Sequence, residues 1–114
     1  MSQKYGLRLE NYTAEMLSKA TNTVQMGSKS GSAGNPTSSD IFTKSMQIEC
    51  KRRNEKSRKC TSTIIKVDVW DKVSRRAWKS GKIPAVVTSE FDIANAKITM
   101  RLFDFLSLVD TEKI

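Results

Sequence analysis

Residues 46–51 read Met-Gln-Ile-Glu-Cys-Lys, closing the sharpest alternation of apolar and polar side chains in the chain, which spans residues 41–51. A period of two belongs to a strand. It sends Met46, Ile48 and Cys50 to one side and Gln47, Glu49 and Lys51 to the other. One face is expected to enter a core and the other to carry polar groups, so the rest of the chain must supply the layer that covers the apolar face.

The neighbouring segments supply it. From residue 5 to about residue 20, Leu9, Tyr12, Met16, Leu17 and Ala20 recur at three- and four-residue steps, the signature of one helix face. Residues 27–39 read GSKSGSAGNPTSS, with three Gly and one Pro among thirteen small or polar residues. That composition predicts a flexible loop. Residues 64–69 suit the start of a strand or of a helix; from Val67 onward the stripe Val69, Val73 and Ala77, with Trp70 beside it, predicts a second helix that stops at Gly81. Residues 83–88 form a short apolar run with Pro84 tolerable near its start, a further strand. Ile98, Met100 and Leu102 alternate with Thr99 and Arg101, predicting a last strand with one buried face. Phe103, Leu106 and Val109 then suggest a closing helical turn. The order predicts an α/β fold, a central mixed β-sheet flanked by helices, in a single domain spanning residues 1–114.

Composition limits the chemistry. The chain has no His, which excludes Ser-His-Asp hydrolases, zinc sites with imidazole ligands and nucleases with a His general base. Any hydrolysis must rest on carboxylates and Lys. Its two Cys, Cys50 and Cys60, lack zinc-ligand spacing and are expected to be free thiols. Residues 1–9 lack the apolar core and cleavage site of a secretory signal, and no apolar run nears the roughly 20 residues of a membrane helix. An intracellular protein with no membrane partner is expected. Twenty Lys and Arg against twelve Asp and Glu leave a net charge of +8, which favours a polyanion such as nucleic acid.

The residues that carry chemistry follow from the alternation. Glu49 and Lys51 share a strand face, and Asp40 stands at the loop exit nine residues before Glu49. If residues 41–46 turn the chain back in a hairpin or bend, Asp40 and Glu49 can approach closely enough to share one cation. Carboxylate oxygens suit Mg²⁺, which keeps waters for reaction. Such an ion would activate water against a phosphodiester, and Lys51 would offset charge on the phosphorane or orient that water. Six cationic residues lie within the nine positions from residue 51: Lys51, Arg52, Arg53, Lys56, Arg58 and Lys59, interrupted by Glu55. With Lys29 from the loop, Arg52, Arg53, Lys56, Arg58 and Lys59 are the DNA-contact candidates, and their binding should be strongly salt-dependent. Lys29 does not complete G-x-x-x-x-G-K-[ST], so no nucleotide cofactor is expected. Trp70 and Trp78 are expected in the core or at a dimer contact rather than stacked on bases.

Four pieces of sequence carry a resemblance: Gly6-Leu7-Arg8-Leu9-Glu10, Ser30-Gly31-Ser32-Ala33-Gly34, Ser38-Ser39-Asp40-Ile41 and Ile48-Glu49-Cys50-Lys51-Arg52. Together the chain resembles the PD-(D/E)xK nuclease superfamily, and within it the archaeal and phage-type Holliday junction resolvases. One departure is that Ser39 stands where the family usually has Pro, Pro36 lying farther back. The resemblance implies a restriction-endonuclease-like core and a catalytic set of Asp40, Glu49 and Lys51. It adds Glu10 as a further metal ligand beside Asp40 and Glu49, and a loop Ser that assists cleavage, for which Ser30 and Ser32 are both candidates. A polar residue on the second helix corresponds to Lys66 or Asp68. The cofactor would be Mg²⁺, with Mn²⁺ able to substitute. The implied activity is a structure-specific endonuclease that resolves four-way DNA junctions. Such a junction needs two paired cuts, so the resemblance also implies a homodimer. Two other functions fit the same residues: nicking or restriction-like cleavage of duplex DNA, and nucleic-acid binding by a basic module without chemistry.

Overall fold

The computed structural model describes residues 2–26, 41–52, 65–89, 92–109 and 111–114. Helix α1 (Ser2–Ser18) leads into the short strand β1 (Gln25–Met26), followed by β2 (Ile41–Phe42) and β3 (Met46–Arg52). Helix α2 (Val67–Lys79), β4 (Ile83–Ser89), β5 (Lys97–Thr99) and α3 (Leu102–Leu108) complete the order. The five strands form one sheet in sequence order. β1, β2 and β3 pair antiparallel, β3 and β4 pair parallel, and β5 returns antiparallel to β4. The sheet is mixed, as the alternating elements predicted.

A three-residue turn sets the register of β2 against β3. The Thr43 hydroxyl accepts from the backbone N–H of Ser45 at 3.3 Å and of Met46 at 3.0 Å, and the Thr43 N–H donates to the Met46 carbonyl at 3.0 Å. The Lys82 ammonium donates to the Thr43 carbonyl at 2.6 Å, tying the hairpin to the start of β4. A hairpin register held in this way fixes which side chains face each layer. Ile41 lies opposite Ile48. Both side chains are fully buried with Leu9, Ala85 and Val87, and Leu17 and Cys50 pack against this cluster. α1 covers that face, and the Cys50 thiol lies 3.7 Å from the Thr13 hydroxyl.

The other face differs from the expectation. Gln47 and Glu49 were expected on a polar face, yet both are buried. α2 packs on β4 and also reaches β3, covering this side with Val73, Ser74 and Ala77. A strand with neighbours on both edges and a helix on each face is covered on both sides, so at Gln47, Ile48 and Glu49 its alternation separates two interiors, while Lys51 nearer its end reaches solvent.

α2 ends where Gly81 was expected to stop it. The Gly81 N–H donates to the Trp78 carbonyl at 3.0 Å and the Lys82 N–H to the Ala77 carbonyl at 2.8 Å, with Gly81 at φ 68°. This is the paired hydrogen bonding of a Schellman cap. A Cβ on Gly81 would meet nothing within 4 Å, so substitution carries only the backbone cost. Gly81→Ala should destabilise the fold by about 1 kcal/mol, with Gly81→Asn milder, as urea unfolding would measure.

The C-terminal region departs most from the sequence pattern. β5 spans only Lys97–Thr99, all exposed, and Leu102 begins a helix instead of extending the strand. Met100 is half-buried, but Ile98 and Leu102 are exposed, so the expected buried strand face is absent. In α3, Phe103 and Leu106 point outward while Asp104 is buried. The Arg101 guanidinium donates to both Asp104 oxygens, at 2.8 and 3.2 Å, and these bonds hold Arg101 above its ordinary pKa. Pairing at this helix start pulls Asp104 inward and rotates the apolar side chains out.

Candidate active site

Glu49 is the middle residue of β3, which lies between β2 and the parallel strand β4. Lys51 stands nearer the carboxyl end of the strand, where ligand sites form in open α/β sheets. Register sets Glu49 beside Val86 and Lys51 beside Thr88, and strand alternation turns all four to the α2 side. Gln47, Ser74 and Thr88 are also buried on this side, among the apolar Val73, Ala77 and Val86.

The Glu49 side chain is 8% exposed and faces two cations. The Lys51 ammonium lies 3.0 Å from its Oε2, and the Arg76 guanidinium donates to its Oε1. Lys51 is 47% exposed and Arg76 31%, so the carboxylate is sunk while its partners reach solvent. A buried carboxylate persists in charged form only when paired in this way. Two cations thus meet one carboxylate beside the parallel pair β3 and β4. The cluster can hold an anion such as a phosphate through its cations, or admit a metal ion where one cation swings away from Glu49.

The sequence-derived residues divide between these layers. Glu49 and Lys51 meet as expected. Glu10 is buried on α1, one turn before Thr13, the residue that touches Cys50 from the opposite face of β3. Among the described residues, Glu49 pairs with Lys51 and Arg76. Lys66 and Asp68 are exposed at the start of α2, and the α2 residue that reaches Glu49 is Arg76. Arg52 ends β3. Asp40, Ser30, Ser32 and the basic residues Lys29, Arg53, Lys56, Arg58 and Lys59 lie outside the described residues, as do loop residues 27–39. Among the described residues no group of three or more His, Cys, Asp or Glu side chains is arranged to hold a metal ion, and no helix is long and apolar enough to cross a membrane.

Arg76 is the member of the Glu49 cluster that the sequence reading missed. It follows Val73 by three positions, on the edge of the Val69, Val73 and Ala77 stripe. A cation bordering a buried helix stripe, in a chain whose central strand carries a glutamate, was the available signal. Comparison with protein-family models, curated proteins and solved structures gives no match.

Proposed function

We propose that the chain is a metal-dependent DNA endonuclease of the PD-(D/E)xK kind with a restriction-endonuclease-like core, acting on four-way junctions as a homodimer inside the cell. The observation that carries this reading is Glu49. It is a buried carboxylate at the middle of a central strand, with Lys51 3.0 Å away on the same face. Further support comes from the β2–β3 ladder. Its described end is the pair Ile41↔Ile48, and the next residues in sequence are Asp40 on one strand and Glu49 on the other. The reading requires that register to continue by one rung.

Carboxylate oxygens are the hard donors that Mg²⁺ or Mn²⁺ prefers, so the donor chemistry at Glu49 fits such an ion. Asp40 and Glu49 would hold it; Glu10, on the α1 side of β3, would have to reach past the strand to join them as a third ligand. When bound, the ion supplies Lewis-acid polarisation of the phosphodiester and activates water. The protein's own side chains do the rest. Arg76 fixes the Glu49 carboxylate from α2, and Lys51, the more exposed cation, leaves that carboxylate to offset charge growing on the phosphorus oxygens. The basic residues from 52 to 59, with Lys29, neutralise flanking phosphates.

The test compares a synthetic four-way junction with linear duplex of equal length, with Mg²⁺ or Mn²⁺ and with EDTA. Preferential, metal-dependent junction cleavage is expected. Equal rates on both substrates would replace the junction reading with nicking or restriction-like cleavage of duplex DNA. Junction binding without cleavage in either metal would leave a basic binding module whose Glu49 cluster is structural. Binding should also weaken by tenfold or more, as an order of magnitude, between about 50 and 200 mM salt, which filter binding would measure.

A further inference from the structure

We propose that the groove between the start of α2 and the end of β5 takes an unpaired nucleobase of the DNA strand held at the Glu49 cluster. The inference rests on the nuclease reading for its choice of DNA as ligand, and the groove is built from side chains that reading does not use. Trp70 and Val67 of α2, Thr99 of β5, and Ile65, Met100 and Arg101 around them line an open groove of about 380 Å³. That lies within the roughly 300–1,000 Å³ of small-molecule sites. Neither indole of the chain enters the core: Trp70 is half-buried and Trp78 is 51% exposed.

Strand register sets the groove beside the site. Glu49 pairs with Val86 and Val86 with Thr99, so these three form one rung on the α2 face of the sheet. Two strand spacings, about 10 Å, separate Thr99 from Glu49. The next rung on this face is Lys51, Thr88 and Lys97, and both lysines are exposed. A strand whose phosphate sits at Lys51 can therefore set the base of a neighbouring nucleotide in the groove.

Chemistry selects the occupant. Trp70 and Met100 offer an indole and a thioether, polarizable groups against which any base can stack. The Thr99 hydroxyl both donates and accepts, and the Arg101 guanidinium has N–H donors beyond the two bonds that its Nε and Nη2 make to Asp104. A base edge supplies partners for these groups, which an apolar side chain does not. The charge of +8 favours an anionic strand over a second copy of the chain, and Lys51 and Lys97 offer its phosphates two cations on the rung beside the groove. An unpaired base enters at least cost, because no base pair has to open first.

Trp70 itself reports the test. In a full chain carrying Trp78→Phe, which keeps an aromatic ring beside Arg101, Trp70 is the sole indole. Titrated in EDTA, so that binding is read without cleavage, a duplex with one unpaired adenine should quench its fluorescence. That duplex should bind roughly tenfold tighter than the fully paired duplex or the same bulge lacking its base. Trp70→Ala should remove the preference while affinity for paired duplex stays within a few-fold. Should Trp70→Ala misfold by circular dichroism, the quenching and the three-duplex comparison on the chain that retains Trp70 decide. Equal affinity for the three duplexes overturns the proposal, as does binding without quenching or a preference that survives in folded Trp70→Ala. Quenching that follows protein concentration alone also overturns it, and assigns the groove to a second copy. Metal-dependent cleavage without the base preference removes this inference and spares the nuclease reading, whereas the preference without cleavage in Mg²⁺ or Mn²⁺ does the reverse. A chain that binds none of the three duplexes removes both.

Discussion

Glu49→Gln is expected to lower metal-dependent DNA cleavage by roughly a thousandfold or more while leaving DNA affinity within a few-fold of wild type. The substitution keeps the shape of the side chain and removes its charge. The amide oxygen is a poor ligand for a hard cation compared with a carboxylate, so the metal is lost even where the strand is intact. The proposed DNA contacts, Lys29 and the basic residues from 52 to 59, keep their charge in this variant. Stability should respond separately. Arg76, 31% exposed, and Lys51, 47% exposed, then face a neutral amide in a buried setting. Lys51 can turn to water, so its share is largely screened. Arg76 is held on α2 and loses a charge-assisted hydrogen bond, a cost of about 1–3 kcal/mol. Arg76→Gln should bring a comparable loss, because the buried Glu49 carboxylate then keeps only the half-exposed Lys51 of the two cations. The double variant should be more stable than the sum of the two losses predicts, because neither charge is then left alone. Urea unfolding measures the stability cycle and single-turnover cleavage measures activity. Full activity in Glu49→Gln would assign the cluster a structural role only.

The pattern of β3 was legible because period two survives any covering layer. Ile48 and Glu49 must face opposite ways whatever lies on either side. Which face is wet was not legible. Gln47 and Glu49 are polar, and only the packing of α2 across β4 turns their side into a second interior. The stop at Gly81 was readable because a positive φ is a local demand that Gly meets without strain. Arg76 was hidden for the opposite reason: its role needs α2 and β3 docked, and nothing within either segment records the partner. The C-terminal misreading is also physical. Ile98, Met100 and Leu102 alternate as a buried strand would, but the Arg101–Asp104 pair starts a helix at Leu102 and leaves Ile98 on an uncovered edge.

Ile48→Ala should cost about 3–4 kcal/mol, whereas Ile98→Ala should stay within about 0.5 kcal/mol in a monomeric sample. Both residues are strand isoleucines in the same sheet. Ile48 is fully buried, opposite Ile41 on one side and beside Ala85 on the other, with Leu9 in the same cluster. Truncation opens a cavity on an interior strand, where hydrogen bonding to β2 and β4 leaves the backbone little room to close it. Ile98 already reaches solvent and loses little. Against a typical domain stability of about 5–15 kcal/mol, the Ile48 loss is large enough to lower the melting temperature by roughly 10 °C or more. The loss also bears on the site. Ile48 and Glu49 are consecutive on β3, so α1 grips the strand through one while α2 holds the other through Arg76. Loosening the α1 side should therefore raise hydrogen exchange along β3 and weaken the Glu49 cluster without any change to its own residues. Ile48→Val, which keeps most of the volume, should cost only about 1 kcal/mol and leave the cluster intact.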